Sequence, residues 1–123
     1  MNKLTLGKSG EDLCCQYLSE KGYEIKARNF RTRYGEIDII VKDRDVLVFV
    51  EVKTRTKEDL DDTKWSISQS KQRKLTRTAL SFISEFPDDE IVEYRFDVVI
   101  IKDEEITHLV NAFLPADLEG YYW

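Results

Sequence analysis

Cysteine is scarce in these 123 residues: only Cys14 and Cys15 occur, side by side. Adjacency excludes a C-x-x-C metal-ligand spacing and works against a disulfide between the two. A reducing, cytoplasmic setting is expected, with Cys14 acting as a small hydrophobe on the helical face of Leu13, Tyr17 and Leu18. Long apolar runs are missing as well. The longest, such as Val46 to Val50, are strand-sized, against the roughly 20 residues that span a bilayer, so no membrane partner is expected. The opening MNKLTLGKSGED carries Lys3 but neither an apolar h-region nor a small-residue cleavage site, and so gives no sign of export. The single histidine, His108, reads as a strand residue rather than a ligand. Repeats, low-complexity segments and linkers are absent, which leaves one domain over residues 1–123.

What is present is a chain that should fold as a globule, with 41% hydrophobic and 35% charged residues. The net charge of −5 argues against non-specific coating of nucleic acid, but it conceals an asymmetry. Residues 1–84 hold 17 Lys and Arg against 13 Asp and Glu, whereas residues 85–123 hold 2 against 11. The basic residues Lys26, Arg28, Arg31 and Arg33, then Arg55, Lys57, Lys71, Arg73, Lys74 and Arg77, leave room for a polyanion on one face. Solvated helix and strand surfaces would give the same counts.

Helical spacing of Leu6, Leu13, Tyr17 and Leu18 predicts a first helix, with Thr5 or Ser9 as its cap and Gly22 as its stop. YEIKARNFRTRY reads as a basic strand, Gly35 as a turn, and EIDIIVK and VLVFVEVKT as strands joined at KDRD. The polar loop RTKEDLDDTK follows. Ile67, Leu75, Ala79, Phe82, Ile83 and Phe86 predict a second helix from about Ser66 to Phe86, ended by Pro87. EYRFDVVIIKD is a strand buried on both faces, and EEITHLV a short last one after the Asp103-Glu104 turn. The order is α-β-β-β-α-β-β, with helices on the two faces of a mixed sheet.

Strand parity then singles out three charges. Ile37, Ile39 and Val41 match Val46, Val48, Val50 and Val52 as one apolar face. The other face gathers Glu36, Asp38 and Ile40 beside Leu47, Phe49, Glu51 and Lys53. An even-length turn at KDRD, or at its inner pair, sets Asp38 directly or diagonally across from Glu51, with Lys53 one step along. Facing carboxylates repel unless a cation lies between them. Lys53 is one candidate cation, in an ordinary half-solvated sheet. A divalent ion such as Mg²⁺, held by carboxylate, carbonyl and water oxygens, is the other.

An Asp, a spacer and Glu-x-Lys on the next strand resemble the core of PD-(D/E)XK nucleases, the restriction endonuclease-like and Holliday junction resolvase-like superfamily. The segments RNFRTRYGEIDII, VFVEVKTR and RFDVV are similar to those of the YraN-like family of small bacterial proteins, over nearly the whole chain. The resemblance implies a restriction endonuclease-like α/β fold, an α-β-β-β-α-β core with a mixed central sheet flanked by helices. It implies Asp38, Glu51 and the Val52 carbonyl as ligands of Mg²⁺ or Mn²⁺, and Lys53 as the group that orients or deprotonates the attacking water. Glu11 matches a further acidic position on the first helix, although Asp12 is next to it and helix phase decides between them. Gln69 and Lys71, at the start of the second helix, match polar positions near such sites. Asp97 in RFDVVII resembles Asp38 in EIDIIV, with backbone or arginine partners as its simpler role.

Phosphodiester hydrolysis needs an activated water, a neutralised phosphate and a stabilised leaving oxygen, which a bound metal and a lysine can supply. Arg28, Arg31, Arg33 and Arg55 are candidate phosphate contacts, and Tyr34 and Phe30 candidates for stacking on an unpaired base. The leading expectation is a metal-dependent nuclease acting on nucleic acid, DNA ahead of RNA, including branched or damaged forms. A homodimer is in keeping with the resolvase-like resemblance. The alternatives are a non-catalytic nucleic-acid-binding or protein-docking module on the same scaffold, and a structural acidic cluster satisfied by Lys53.

Overall fold

The computed structural model describes residues 6–55 and 67–116, with side chains from residue 10 onward. Helix α1 (Leu6–Glu20) is followed by strands β1 (Glu24–Thr32), β2 (Gly35–Asp43) and β3 (Val46–Arg55). Helix α2 (Gln69–Glu85) and strands β4 (Glu93–Lys102) and β5 (Glu105–Phe113) complete the order. The strands form one sheet in the order β1-β2-β3-β4-β5. All neighbours are antiparallel except β3 and β4, which run parallel. Parallel neighbours need a long crossover, and the segment containing α2 provides it. This is the α/β arrangement expected of a restriction endonuclease-like core.

Local chemistry explains the element ends. Gly22 adopts φ +93°, and its N–H donates to the Ser19 carbonyl at 2.9 Å while Tyr23 N–H reaches the Leu18 carbonyl at 3.0 Å. That pair of bonds is a Schellman stop, which requires a left-handed residue. Because α1 starts at Leu6, Ser9 lies inside it and is not its cap; Thr5 falls outside the described residues, as does most of the acidic loop. The second helix begins three residues later than the apolar spacing suggested, because Ser68 Oγ accepts the Lys71 N–H at 3.1 Å and caps it. Ser66 itself is outside the described residues. The last strand is longer than expected at nine residues. A turn with positive φ at Asp103 and Glu104 starts it, and a register shift between Phe96 and Val98 keeps it paired to Phe113.

Each helix covers one face. Leu75, Ala79 and Phe82 of α2 pack with Ile37, Ile40, Leu47, Phe49, Phe96 and Val98. Cys14 and Leu18 of α1 pack with Ile39, Val41, Val48, Val50, Val99 and Ile101. Strands β3 and β4 are therefore buried on both sides. Burial pushes the Cys14 thiol up to about 12, in keeping with a hydrophobe rather than a nucleophile. No helix among the described residues is long and apolar enough to cross a membrane.

Two expectations for the β2–β3 hairpin are corrected. The turn is Arg44-Asp45, since Asp43 pairs with Val46, one step past the inner pair of KDRD but still even. Ile37 does not share a face with Ile39 and Val41; it joins the α2-side cluster, and they join the α1-side cluster. Alternation therefore slips at Asp38. On β1 the matching slip falls at Asn29, whose φ is 53°, so the β1–β2 pairs Arg28–Ile39 and Phe30–Ile37 stay in register.

Candidate active site

The slip at Asp38 is where β2 parts from β3. Backbone pairing between them ends at Ile39 with Val50, while β3 continues beside β4 as far as Arg55 with Lys102. The Val52 N–H donates instead to Asp38 Oδ2 at 2.8 Å. In a strand a residue's N–H and C=O face the same neighbour, so the Val52 carbonyl is directed to this side too. Glu51, next in the chain, is buried. Its Oε2 is contacted by the Lys71 ammonium from α2 and lies 3.7 Å from Lys53 Nζ. Asp38, Glu51 and Lys53 thus converge where the two strands splay.

The electrostatics follow from that convergence. Burial and then the Glu51 charge push the Asp38 carboxyl up to about 7, against the opposing pull of the Val52 N–H; Glu11 adds to the upward push. Burial and the neighbouring Lys71 ammonium hold Lys53 below the usual lysine range. Burial acts most strongly on Lys71 and would lower it, but its hydrogen bond to Glu51 and the Glu51 and Asp38 charges together outweigh that and leave it raised. Glu51 is met by two ammonium groups, whereas Asp38 is met by the Val52 N–H.

The other sequence candidates are placed unevenly. Glu11 accepts from Asn29 Nδ2 at 3.2 Å and lies 3.8 Å from Arg28. Asp12 is 55% exposed and takes Arg28 Nη2 at 2.8 Å, so helix phase turns Glu11 toward the site. Arg28 is consequently already paired. Arg31 is exposed and bonds Glu36 at 3.4 Å. Arg33 donates to the Tyr34 hydroxyl at 3.0 Å, and its guanidinium and that of Arg77 lie 5.0 and 5.4 Å from the Tyr34 ring. Arg55 donates to the Thr54 carbonyl. Gln69 is exposed in the first turn of α2, and Lys71, two residues on, reaches Glu51. Phe30 is half-buried and packs edge-on against Phe82 at 5.2 Å, at the margin of the α2-side core.

Asp97 takes the backbone and arginine partners expected of it, in a second polar cluster on the α1 face whose histidine and tyrosine members sequence reasoning missed. Asp97 is fully buried and accepts from Arg95 Nε at 3.0 Å and from the Asn111 N–H at 2.9 Å. His108 Nε2 lies 2.7 Å from Asp97, and His108 Nδ1 lies 3.0 Å from the Tyr17 hydroxyl. Arg95 also donates to the Tyr23 hydroxyl. Burial alone would raise the Asp97 carboxyl, but its hydrogen bonds from His108, Arg95 and Asn111 bring it below the usual range. The partners come from α1, β4 and β5, so no short motif announces them.

A hard divalent ion fits the donor set at the splay. Among the described residues no three His, Cys, Asp or Glu side chains converge on one point. Two carboxylates and a carbonyl are nevertheless the protein share that Mg²⁺ commonly takes, with water and phosphate oxygens supplying the rest. Asp38 Oδ2 accepts from the N–H of Val52, the residue next to buried Glu51, and two acids placed as neighbours gain from a shared cation.

Comparison with known proteins agrees in extent with the segments that carried the resemblance. The profile of the uncharacterised protein family UPF0102 matches residues 10–101. A UPF0102 protein of Thermodesulfovibrio yellowstonii is 45% identical over 113 residues, covering 92% of this chain and 99% of the relative. One from a Sulfurihydrogenibium species is 44% identical over 92% of this chain and 97% of its own. One from Caldicellulosiruptor saccharolyticus is 43% identical over 92% and 100%. With its fold, its Asp38 and Glu51-x-Lys53 strands and this coverage, the chain belongs to the UPF0102 family, the YraN-like proteins.

Proposed function

We propose that the protein is a metal-dependent nuclease that hydrolyses phosphodiester bonds, in DNA ahead of RNA, with branched or damaged forms among its substrates. The observation that supports this reading is the meeting of Asp38, Glu51 and Lys53 at the point where β2 leaves β3. Asp38, Glu51 and the Val52 carbonyl would hold Mg²⁺ or Mn²⁺, which when bound supplies an activated water and neutralises phosphate charge. Lys53, held below the usual lysine range, is suited to orient that water, to accept its proton and to offset the phosphate. Rigid strands fix these groups more accurately than loops would.

Glu51→Ala should reduce Mg²⁺- or Mn²⁺-dependent cleavage by a thousandfold or so, with an unchanged circular dichroism spectrum. Absence of cleavage by the wild type across both metals and across linear, branched and single-stranded DNA and RNA would overturn the catalytic reading.

One observation favours a second reading, a non-catalytic binding module. Glu51 is already neutralised by Lys71 and Lys53, so the fold needs no ion there. Salt-dependent nucleic-acid binding without turnover, insensitive to Glu51→Ala, is its signature.

A further inference from the structure

Lys71 reaches the acidic pair from outside the sheet. Asp38, Glu51 and Lys53 belong to β2 and β3, whereas Lys71 stands in the first turn of α2, fixed there by the Ser68 cap on its own N–H. Its ammonium touches Glu51 Oε2, the same oxygen that Lys53 faces from 3.7 Å. Glu51 is 8% exposed and cannot retreat to water, but the Lys71 side chain is 42% exposed. The flexible four-carbon stem lets that ammonium leave for solvent while its backbone stays capped. Lys53, at 21% exposed, has less room. Outward along α2, Lys74 and Arg77 are exposed.

We propose that Lys71 is a tethered competitor for the divalent ion: it fills the cation's place on Glu51, and the ion binds only when the ammonium swings out. The proposal rests on the reading of Asp38 and Glu51 as metal ligands. The Lys71 ammonium and a divalent ion cannot occupy the same place on the buried Glu51 Oε2, which Lys71 touches while Lys53 stands 3.7 Å away, and at about 4 Å their repulsion is several times thermal energy even in a well-screened site. The apparent affinity for the ion is therefore lowered by the fraction of molecules in which Lys71 is away. A phosphate anion near the first turn of α2 gives the displaced ammonium a new partner. Ion and phosphodiester consequently favour each other's binding, and the site holds the metal less tightly until a polyanion arrives.

Calorimetric titration of the full chain with Mn²⁺ tests this without any cleavage measurement. Lys71→Gln keeps an N–H donor for Glu51 and deletes the charge; it should tighten Mn²⁺ binding about tenfold, the worth of one charged hydrogen bond. Lys71→Arg keeps the charge and should stay within about twofold of the wild type. Lys53→Gln should tighten binding less than Lys71→Gln. Equal effects at Lys53 and Lys71 would make the lysines a general field and overturn the proposal, as would a Lys71→Arg affinity matching that of Lys71→Gln. Wild-type Mn²⁺ binding that depends on Asp38 but is unmoved by Lys71→Gln overturns the competitor role and leaves the metal site standing. No Mn²⁺ binding by any form overturns both.

Discussion

Asp38 and Asp97 sit in similar strings, EIDIIV and RFDVVI, and the fold treats them in opposite ways. Asp38 is buried beside a like-charged neighbour, with one backbone hydrogen bond pulling the other way, and rises from an ordinary 3.8 to about 7. Asp97 gains an arginine, a histidine and a backbone N–H, and falls below 3.8. The linkage signs therefore differ. Folded Asp38 binds its proton more tightly than the unfolded chain does, so its contribution is most favourable below about pH 4 and is lost as pH rises toward 7. Asp97 contributes above about pH 4, and that contribution is lost as pH falls through its lowered value. In chelator-treated protein, Asp38→Asn should become progressively more stable than the wild type between pH 4 and 7, by on the order of 1 kcal/mol or more. Asp97→Asn should lose about 3 kcal/mol near neutrality by stranding the half-buried Arg95, with the deficit shrinking below pH 4. Thermal melts of the three proteins across pH 3–8 check both. The two strings are nearly alike, and only neighbours from other elements separate these fates.

The elements place the site by close approach. Gly10 lies where α1 meets β3: a Cβ added there would come 2.5 Å from Thr54 Oγ1 and 3.8 Å from Ile101 Cδ1. Alanine favours helix over glycine by roughly 1 kcal/mol, but the close approach leaves it no room. Gly10→Ala should therefore lower stability by about 1–3 kcal/mol in urea unfolding, as overpacking does; a neutral or stabilised variant would show that α1 need not approach so closely. Because Glu11 follows Gly10, the same change should move an acidic side chain away from Asp38. Much at this scale was legible in the sequence. The order of elements, the even β2–β3 turn and the stop at Gly22 follow from periodicity and turn chemistry, which are local. The slip at Asp38 was not legible, since EIDII alternates in sequence like any strand and the break in side-chain facing involves Asn29 across β1.

For the molecule as a whole, charge is divided between an acidic C-terminal portion and a basic remainder, and the fold decides which cations are available. Arg28 is held by Asp12 and Glu11, whereas Lys74 and Arg77 are exposed on α2 and Arg77 stands with Arg33 around Tyr34. If nucleic acid lies along this side, Lys74→Glu with Arg77→Glu should weaken binding and flatten its dependence on log salt by about one unit for each phosphate no longer neutralised. Arg28→Ala should change the slope less. Fluorescence anisotropy at several salt concentrations measures both, and equal slopes for the two variants would place the polyanion elsewhere.

The sequence by itself determined the α/β order, the two-sided burial of β4, the family, and the placing of Asp38 and Glu51 on neighbouring strands joined by a short even turn, because periodicity and turn chemistry act over neighbouring residues. The tertiary structure alone decided that Glu11 rather than Asp12 faces the acids, that Lys71 closes the charge on Glu51, and that Phe30 packs against Phe82. It also built the Asp97–His108 cluster from α1, β4 and β5. Those outcomes depend on helix phase and on groups far apart in the chain coming within a few ångströms, where burial strengthens every charge and decides which partner each one takes.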